Sequence, residues 1–383
     1  FGPPIQEMVA SAFESARVGV STITAPTPLP TADPGQALAL ADAAWRRGAV
    51  EEAIQLYREI LPAAPNDLVA HYRYTLGLIM EGRRPEALVA AENTITANPF
   101  SADAWAIHAL ALDRNDRPRE AIASALQALS INPRSARALA FMAEAYLDAN
   151  QIELAQQTLR RALEADPDNV EARYVNGLFL RDAQYNYPAA RDEFRAAYED
   201  APNLPYIAVE LAWSEWYLQN YQVAIEVLQD VLERNPNNLD ALYAIAYVYY
   251  QALGSPAQSE EFLQRCLRAS PENLSCLRYL GQVQTFGLGN TQGALQTYQR
   301  LIDAGTQRPI DFFYAARSYI NVGDCASGIT LLRQGYELEL AAASPDVDLL
   351  SRFEQNLSDC GAPVSAPFNP LPAAEDSGEV GDA

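Results

Sequence analysis

The chain has 383 residues, of which 27 are arginine, 49 are acidic and none is lysine, so its formal net charge at pH 7 is −22. That charge opposes binding to nucleic acid or to an anionic membrane, because both are themselves negatively charged. The absence of lysine excludes a phosphate-binding loop, a lysine Schiff base and a Ser–Lys catalytic pair, since each of them needs that side chain.

Residues 1–20 form the first predicted element, an N-terminal amphipathic segment. Its apolar residues recur at roughly helical spacing at Ile5, Met8, Val9, Phe13 and Val18, and Phe1 precedes them. A helix with such a face needs a surface to pack on, so we interpret the segment as an assembly tail that docks on a neighbouring copy. The alternative interpretation is a frayed leader. Because the chain starts at phenylalanine, we expect that an upstream segment was cleaved or trimmed.

Residues 21–34 form a linker that is rich in threonine and proline, with the sequence STITAPTPLPTADP. This composition and its near lack of charge are typical of an extended segment. Its threonines are also candidate acceptors for O-linked glycans.

From residue 35 onwards the sequence repeats itself. Prolines recur every 34 or 35 residues, at Pro65, Pro99, Pro133, Pro167, Pro202, Pro236 and Pro271. Alanines recur in phase with them, at Ala53, Ala87, Ala121, Ala155, Ala190 and Ala224. Proline cannot continue a helix, and a small residue lets two helices approach closely. The pattern therefore predicts stacked helix pairs that are separated by proline turns and share one continuous core.

The repeating unit resembles the tetratricopeptide repeat. Trp105, Ala109 and Leu112, followed by Ala121 and Pro133, match part of that family's pattern of Trp, Leu, Gly and Tyr, then Ala, Phe and Pro. Residues that depart from the pattern include Ala91 and Ala125 at bulky positions and His71 and His108 at apolar positions. Small departures of this kind are usual in the family, and the resemblance covers residues 34 to about 345.

The resemblance implies an all-α fold, a right-handed superhelical solenoid of about nine helix pairs that is flanked by extended tails. The pairs are predicted to begin near residues 36, 69, 103, 137, 171, 205, 239, 274 and 311. A final stretch, DVDLLSRFEQNLSDC, is predicted to cap the last apolar face, as terminal repeats of a solenoid need. The solenoid with its capping helix then occupies residues 35–360, and residues 361–383 form an acidic, proline-containing tail whose composition indicates disorder.

The first helices of the pairs line a concave groove in this family, and the resemblance implies that this groove binds proteins. From the repeat register, the predicted groove residues are Tyr72, Tyr174, Val209, Trp213, Trp216, Tyr243, Tyr247 and Tyr250. Tyrosine and tryptophan give a large contact area with a polar end, which suits an extended proline-rich peptide. The alternative is that several of these rings pack between helices as core.

No catalytic set is recognisable in the sequence, and we expect no enzymatic activity, cofactor or metal. His71 and His108 occupy positions that face the interior of helix pairs, and no serine or cysteine motif accompanies them. The glycine-rich GLGNTQG at residues 287–293 falls in a turn between helices. Asp166, Asp168 and Glu171 surround another turn, where carboxylates cap or stabilise a helix start.

Four cysteines permit three disulfide connectivities. We favour the sequential one, Cys266 with Cys276 and Cys325 with Cys360, because the first two lie on adjacent helices and the last two would fasten the end of the solenoid. This pairing predicts an exported protein, secreted or at the cell surface, since disulfides persist in oxidising compartments. The alternative is four reduced thiols in a cytoplasmic protein. Neither pair has the spacing of a zinc site.

Two functions remain open from the sequence. The first is an exported structural subunit that assembles with other copies of itself, head to tail, through its tails and its aromatic groove, into a filament or surface assembly. The second is a monomeric or membrane-tethered adaptor that binds an extended peptide of an unrelated protein. In either case the partner is a protein, no membrane span is expected in the mature chain, and Asn273 and Asn356 are candidate acceptors for N-linked glycans.

Overall fold

The computed structural model describes residues 34–362. Within that range the regular structure consists of nineteen α-helices and two short π-helical segments, without any strand, so the all-α prediction is confirmed. The assembly tail, the linker as far as Asp33 and residues 363–383 lie outside the described residues. None of the described helices combines the length and the apolar character needed to cross a bilayer.

The chain divides into two compact units, residues 1–175 and residues 176–383. The first unit contains α1 (Pro34–Arg46), α2 (Val50–Ile60), α3 (Leu68–Met80), α4 (Arg84–Ala97), α5 (Ala102–Asp113), α6 (Pro118–Ile131), α7 (Ala136–Asp148) and α8 (Ile152–Ala165), and α9 (Val170–Asp182) contains the boundary. The second unit contains α10 (Tyr187–Asp200), α11 (Pro205–Tyr217), α12 (Tyr221–Arg234), α13 (Leu239–Tyr247), α14 (Pro256–Ala269), α15 (Leu274–Gln282), α16 (Thr291–Asp303), α17 (Pro309–Asn321), α18 (Cys325–Leu340) and α19 (Val347–Asp359).

Helices α1 to α18 follow one another as nine pairs, and α19 packs against α18. Turns of only three or four residues join the two helices of a pair, so the helices run antiparallel. Every pair begins within two residues of its predicted start. The nine helix pairs and the capping helix predicted for this range are therefore confirmed.

A helix cap follows six of the seven repeat prolines by two residues, the exception being Pro202, where Leu204 makes no side-chain cap. Six cap side chains accept a hydrogen bond from the backbone N–H three residues later; they are Asp67, Ser101, Ser135, Asn169, Asn238 and Asn273. Such a cap satisfies one of the backbone donors that a helix start leaves unpaired. Each proline thus ends one pair, and the next pair starts at its cap.

The turn inside each pair needs one residue with a left-handed backbone. Positive φ values recur at this place in all nine turns, at Gly48, Gly82, Asp116, Asn150, Tyr185, Gln219, Gly254, Gly289 and Gly323. Gly289, with φ +63°, belongs to the GLGNTQG stretch, which therefore forms a turn as the sequence predicted. A residue other than glycine adopts this backbone at a cost of about 1 kcal/mol, which Tyr185 and Gln219 carry.

Close packing between the helices of a pair depends on small residues in the first helix. A Cβ atom on Gly281 would lie 2.6 Å from the ring of Tyr298 in α16, and one on Gly177 would lie 2.6 Å from Phe194 in α10. Both rings are almost completely buried. In the pair where Leu228 takes the place of the ring, Ala212 takes the place of the glycine. In these three pairs a ring is matched by glycine and leucine by alanine.

Two first helices of the second unit are one residue longer than the usual thirteen. Each ends in a π-helical segment, Val248–Ala252 after α13 and Val283–Gly287 after α15. A π-bulge absorbs one inserted residue without ending the helix. The insertion therefore leaves the preceding face of each helix in register with its neighbours.

Candidate functional site

An aromatic surface occupies the first helices of three consecutive pairs in the second unit. Its members are Trp213, Trp216 and Tyr217 in α11, Tyr243, Tyr247 and Tyr250 in or just after α13, and Tyr279 in α15. Trp213 and Tyr247 are 34 residues apart, as are Trp216 and Tyr250. The repeat spacing therefore brings corresponding rings next to each other.

The rings form one contiguous network. Trp213 lies 5.1 Å from Tyr247 and 6.2 Å from Trp216, measured between ring centroids. Tyr247 lies 5.4 Å from Trp216 and 5.4 Å from Tyr279, and Tyr243 also lies 5.4 Å from Tyr279. Most of these contacts are edge-on or tilted, which is the favourable geometry for aromatic pairs.

The network is half-buried, so it is both core and surface. Trp213, Trp216, Tyr243, Tyr247 and Tyr250 are partly exposed and pack against the apolar core of the second unit. Tyr217 retains 48% of its surface in solvent, whereas Tyr279 retains 4%. The buried sides hold the rings in place, and the exposed sides remain open to a partner.

Two of the predicted groove residues contribute little accessible surface. Tyr174 in the first unit and Val209 in the second each retain 8% exposure. The remaining residue in the first unit, Tyr72, is engaged internally, since its hydroxyl donates to Glu171 Oε1 at 3.1 Å. Tyr72 is partly exposed, but the contiguous set of partly exposed rings lies in the second unit.

Tyr279 is a member of the network that was not among the predicted groove residues. A signal for it was present, because a third consecutive first helix carries a tyrosine near the same position.

The indole N–H of Trp216 is buried and has no acceptor within residues 34–362. Buried donors are satisfied in most proteins, so this ring lies in an incompletely paired environment.

The two histidines are packed polar residues. His71 is buried and its Nε2 lies 2.9 Å from the carbonyl oxygen of Pro65. His108 Nδ1 lies 2.9 Å from Ser124 Oγ, a contact that the sequence did not reveal. The Ser124 hydroxyl donates to the carbonyl of Trp105, and burial lowers the pKa of His108.

The four cysteines lie in two close pairs. The structure places both cysteine pairs at disulfide-bonding distance, with Cα atoms 6.4 Å apart for Cys266 and Cys276 and 5.7 Å apart for Cys325 and Cys360. Residues 34–362 contain no group of three or more potential metal ligands.

Three further predicted residues have defined roles in the helices. Glu171 lies at the start of α9, where it is buried and accepts a hydrogen bond from Arg137 Nε at 2.8 Å. Asn273 caps α15 through its side-chain oxygen, whereas the Asn356 amide donates to the carbonyl of Arg352 within α19.

Comparison with known proteins identifies the repeat. One family model, described as tetratricopeptide repeat, matches residues 37–67 and 209–274, and a second model of the same description matches residues 112–176. A search of curated proteins returned no match.

Solved structures share the fold at low sequence identity. The APC/C hetero-tetramer Cut9–Hcn1 matches 79% of this chain with a TM-score of 0.59 and 15% identity, and the match spans 58% of that chain. The human IFIT1 dimer with PPP-AAAA matches 87% of this chain and 82% of its own, with a TM-score of 0.53 and 17% identity. Helical repeats of this kind therefore occur in both structures.

Proposed function

The chain belongs to the tetratricopeptide repeat family, and from this premise we propose that its second unit holds an extended segment of a partner protein on the aromatic surface. Repeats of this family indicate a protein–protein interaction scaffold. The contiguous, half-exposed ring network of α11, α13 and α15 carries the proposal. Rings that already pack against the core lose little conformational entropy when a partner covers them. Such residues therefore contribute much of the binding energy at interfaces.

The chemistry of the surface favours a proline-rich occupant. A polyproline segment is already extended, exposes its backbone and packs its rings against aromatic side chains. The chain carries two such segments itself, in residues 21–34 and residues 361–372. We therefore propose that the partner is another copy, bound head to tail, in an exported self-assembling subunit.

Export is supported by the two cysteine pairs at bonding distance, since disulfides persist in oxidising compartments. The alternative is an adaptor that binds a foreign peptide in the same way. Light scattering of the full chain and of a variant without residues 1–34 separates the two. Large assemblies that disappear on deletion support self-assembly, and a monomer in both cases supports the adaptor.

Peptide titration tests the proposed surface directly. Fluorescently labelled peptides of residues 13–34 and 361–383 are titrated with the full chain, and fluorescence anisotropy reports binding. Trp213→Ala is expected to weaken the affinity of a bound peptide about tenfold or more, because an aromatic anchor is lost. Phe100→Ala is the matched control, since Phe100 is 89% exposed and lies in the first unit. Equal affinities for the two variants would contradict the proposal.

A further inference from the structure

A cleft of about 440 Å³ adjoins the aromatic surface. It lies at the N-terminal ends of α11, α13 and α15. Its lining includes Tyr206, Glu210, Trp213, Asp240 and Tyr243. Three aromatic residues and two carboxylates therefore face the same space. We call it the acidic cleft.

The two carboxylates differ in how their charge is balanced. Glu210 accepts a hydrogen bond from Arg181. Asp240 makes no hydrogen bond or ion pair with any residue between 34 and 362, although it is accessible from solvent. Burial raises the pKa of the Glu210 carboxyl above its usual range. The exposed carboxylate of Asp240 can pair with a positive charge that is brought in from outside.

Two arginines of the second unit, Arg278 and Arg308, act on the hydroxyl of Tyr243 in the cleft. Arg278 forms a bidentate pair with the buried Asp311 at 2.7 and 2.8 Å. Its charge is therefore already matched. The acidic cleft keeps an uncompensated carboxylate next to the rings of Trp213 and Tyr243.

A carboxylate beside aromatic faces is suited to a guanidinium group, which can pair with the carboxylate and stack on a ring. We infer that the acidic cleft binds Arg17 of a second copy, which fixes the N-terminal segment as the occupant of the aromatic surface. The inference rests on the proposed function, and it selects one of the two proline-rich segments.

Only one of the two segments offers a cation. Residues 1–33 contain Arg17 together with Glu7, Glu14 and Asp33, and three residues separate Arg17 from the Thr/Pro-rich linker. Residues 363–383 contain no basic residue and carry Glu375, Asp376, Glu379 and Asp382. The acidic cleft can therefore pair with the first segment through Arg17, and the second segment has no cation to offer it.

The reach of the segment is sufficient for both contacts at once. A helix of thirteen residues is about 20 Å long, and six or seven extended residues span about the same distance. A chain anchored at Arg17 in the cleft, near the start of α11, thus reaches Trp216 near the end of that helix with residues Ile23 and Thr24. The prolines of the linker follow immediately.

The experiment is a charge-deletion cycle on the labelled peptide of residues 13–34 and the full chain. The chain is kept at nanomolar concentration, where contacts between copies are dissociated. We expect Arg17→Gln in the peptide and Asp240→Asn in the chain each to weaken binding about twofold to fivefold, as for a charge pair at an exposed site. The two changes together should weaken it no further than either one alone, because they remove the same contact.

Glu261→Gln is the matched control, since Glu261 is an exposed carboxylate of the second helix α14 and should leave binding unchanged. The peptide of residues 361–383 should bind more weakly than residues 13–34 by at least the effect of Arg17→Gln, because it lacks the cation.

The outcomes separate this inference from the proposed function. If Trp213→Ala abolishes binding while the Arg17→Gln peptide binds as tightly as the unmodified one, the inference is wrong and the aromatic surface stands. If neither peptide binds the unmodified chain, both are wrong. The Arg17 substitution lies in the peptide, so the folding of a variant protein does not affect its result.

Discussion

The hydroxyl of Tyr72 in α3 donates a hydrogen bond to Glu171 in α9, although 99 residues separate them in the chain. Arg137 of α7 lies between these helices, with its guanidinium 4.7 Å from the Tyr72 ring centroid and its Nε 2.8 Å from Glu171 Oε1. Arg137 Nη1 also lies 2.9 Å from Asp103 in α5. Four first helices of the first unit are thus connected by one polar cluster. Both the hydroxyl and the ring of Tyr72, a predicted groove residue, make contacts within this cluster.

Substitution of Arg137 should destabilise the first unit strongly. Arg137→Gln leaves Glu171 buried without its counter-charge, and breaking a buried ion pair in this way costs about 3–5 kcal/mol. Urea unfolding followed by circular dichroism measures the change. Arg134→Gln, at an exposed residue of the preceding turn, is the matched control. Equal midpoints for the two variants would show that the cluster contributes nothing.

A second buried cluster makes the first unit sensitive to pH. Asp113 and Glu144 share Arg114, and one oxygen of each carboxylate is buried without a hydrogen-bond partner in the described part of the chain. Burial, followed by the nearby charges of Glu144 and Asp148, raises the pKa of Asp113 to about 8. The folded chain therefore holds a proton that the unfolded chain releases near pH 4.

Stability due to Asp113 is present below pH 4 and is lost as the pH rises through about 8, because the folded state binds the extra proton in that interval. The free energy of unfolding should consequently be higher at pH 5 than at pH 9. In Asp113→Asn the difference should shrink, since asparagine does not titrate. A pH dependence that is unchanged in this variant would assign it to other groups.

The size of the residue facing a ring can be tested at Gly281. Alanine there brings Cβ to 2.6 Å from Tyr298, and overpacking of this kind costs about 1–3 kcal/mol, against about 1 kcal/mol gained from helix propensity. We expect a net loss of stability in thermal unfolding. The double variant Gly281→Ala/Tyr298→Leu reproduces the natural Ala212–Leu228 combination and should recover part of that loss. A double variant less stable than Gly281→Ala would contradict this explanation.

Thiol titration tests the cysteine pairs. If the chain is exported as proposed, the denatured, unreduced protein should contain no reactive thiol. Loss of the bond between Cys325 and Cys360, which closes a loop of 35 residues, should then cost about 4 kcal/mol by the chain-entropy estimate. Cys325→Ser/Cys360→Ser, compared with the unmodified chain in urea, measures this value. Four reactive thiols in protein purified without reductant would favour the cytoplasmic alternative.

The repeat architecture was predictable from the sequence because the residues that determine it are local and recur in each helix pair. The prolines, the caps two residues later and the alanines such as Ala121 act within one pair or between neighbours, so spacing alone locates them. The contact between Tyr72 and Glu171 joins pairs that are not adjacent, and the sharing of Arg114 by Asp113 and Glu144 depends on side-chain directions. Such contacts depend on how successive pairs rotate, which the spacing of residues does not encode.

The candidate site was predictable only in part for the same reason. Trp213 and Tyr247 are 34 residues apart, as are Trp216 and Tyr250, and this spacing made these rings recognisable in the sequence. The acidic cleft joins Glu210 and Asp240 from different first helices, and neither residue forms a motif. The burial of Tyr174 agrees with the alternative in which some of the rings pack as core, but the sequence did not show which rings would do so.

Photo-crosslinking tests the central claim most directly. A peptide of residues 13–34 with p-benzoylphenylalanine in place of Ile23 is bound to the full chain and irradiated, and the attachment sites are mapped by mass spectrometry. The aromatic surface predicts attachment to α11, α13 and α15, with competition by unlabelled peptide. Attachment confined to second helices such as α12 and α14, or to the first unit, would contradict the claim.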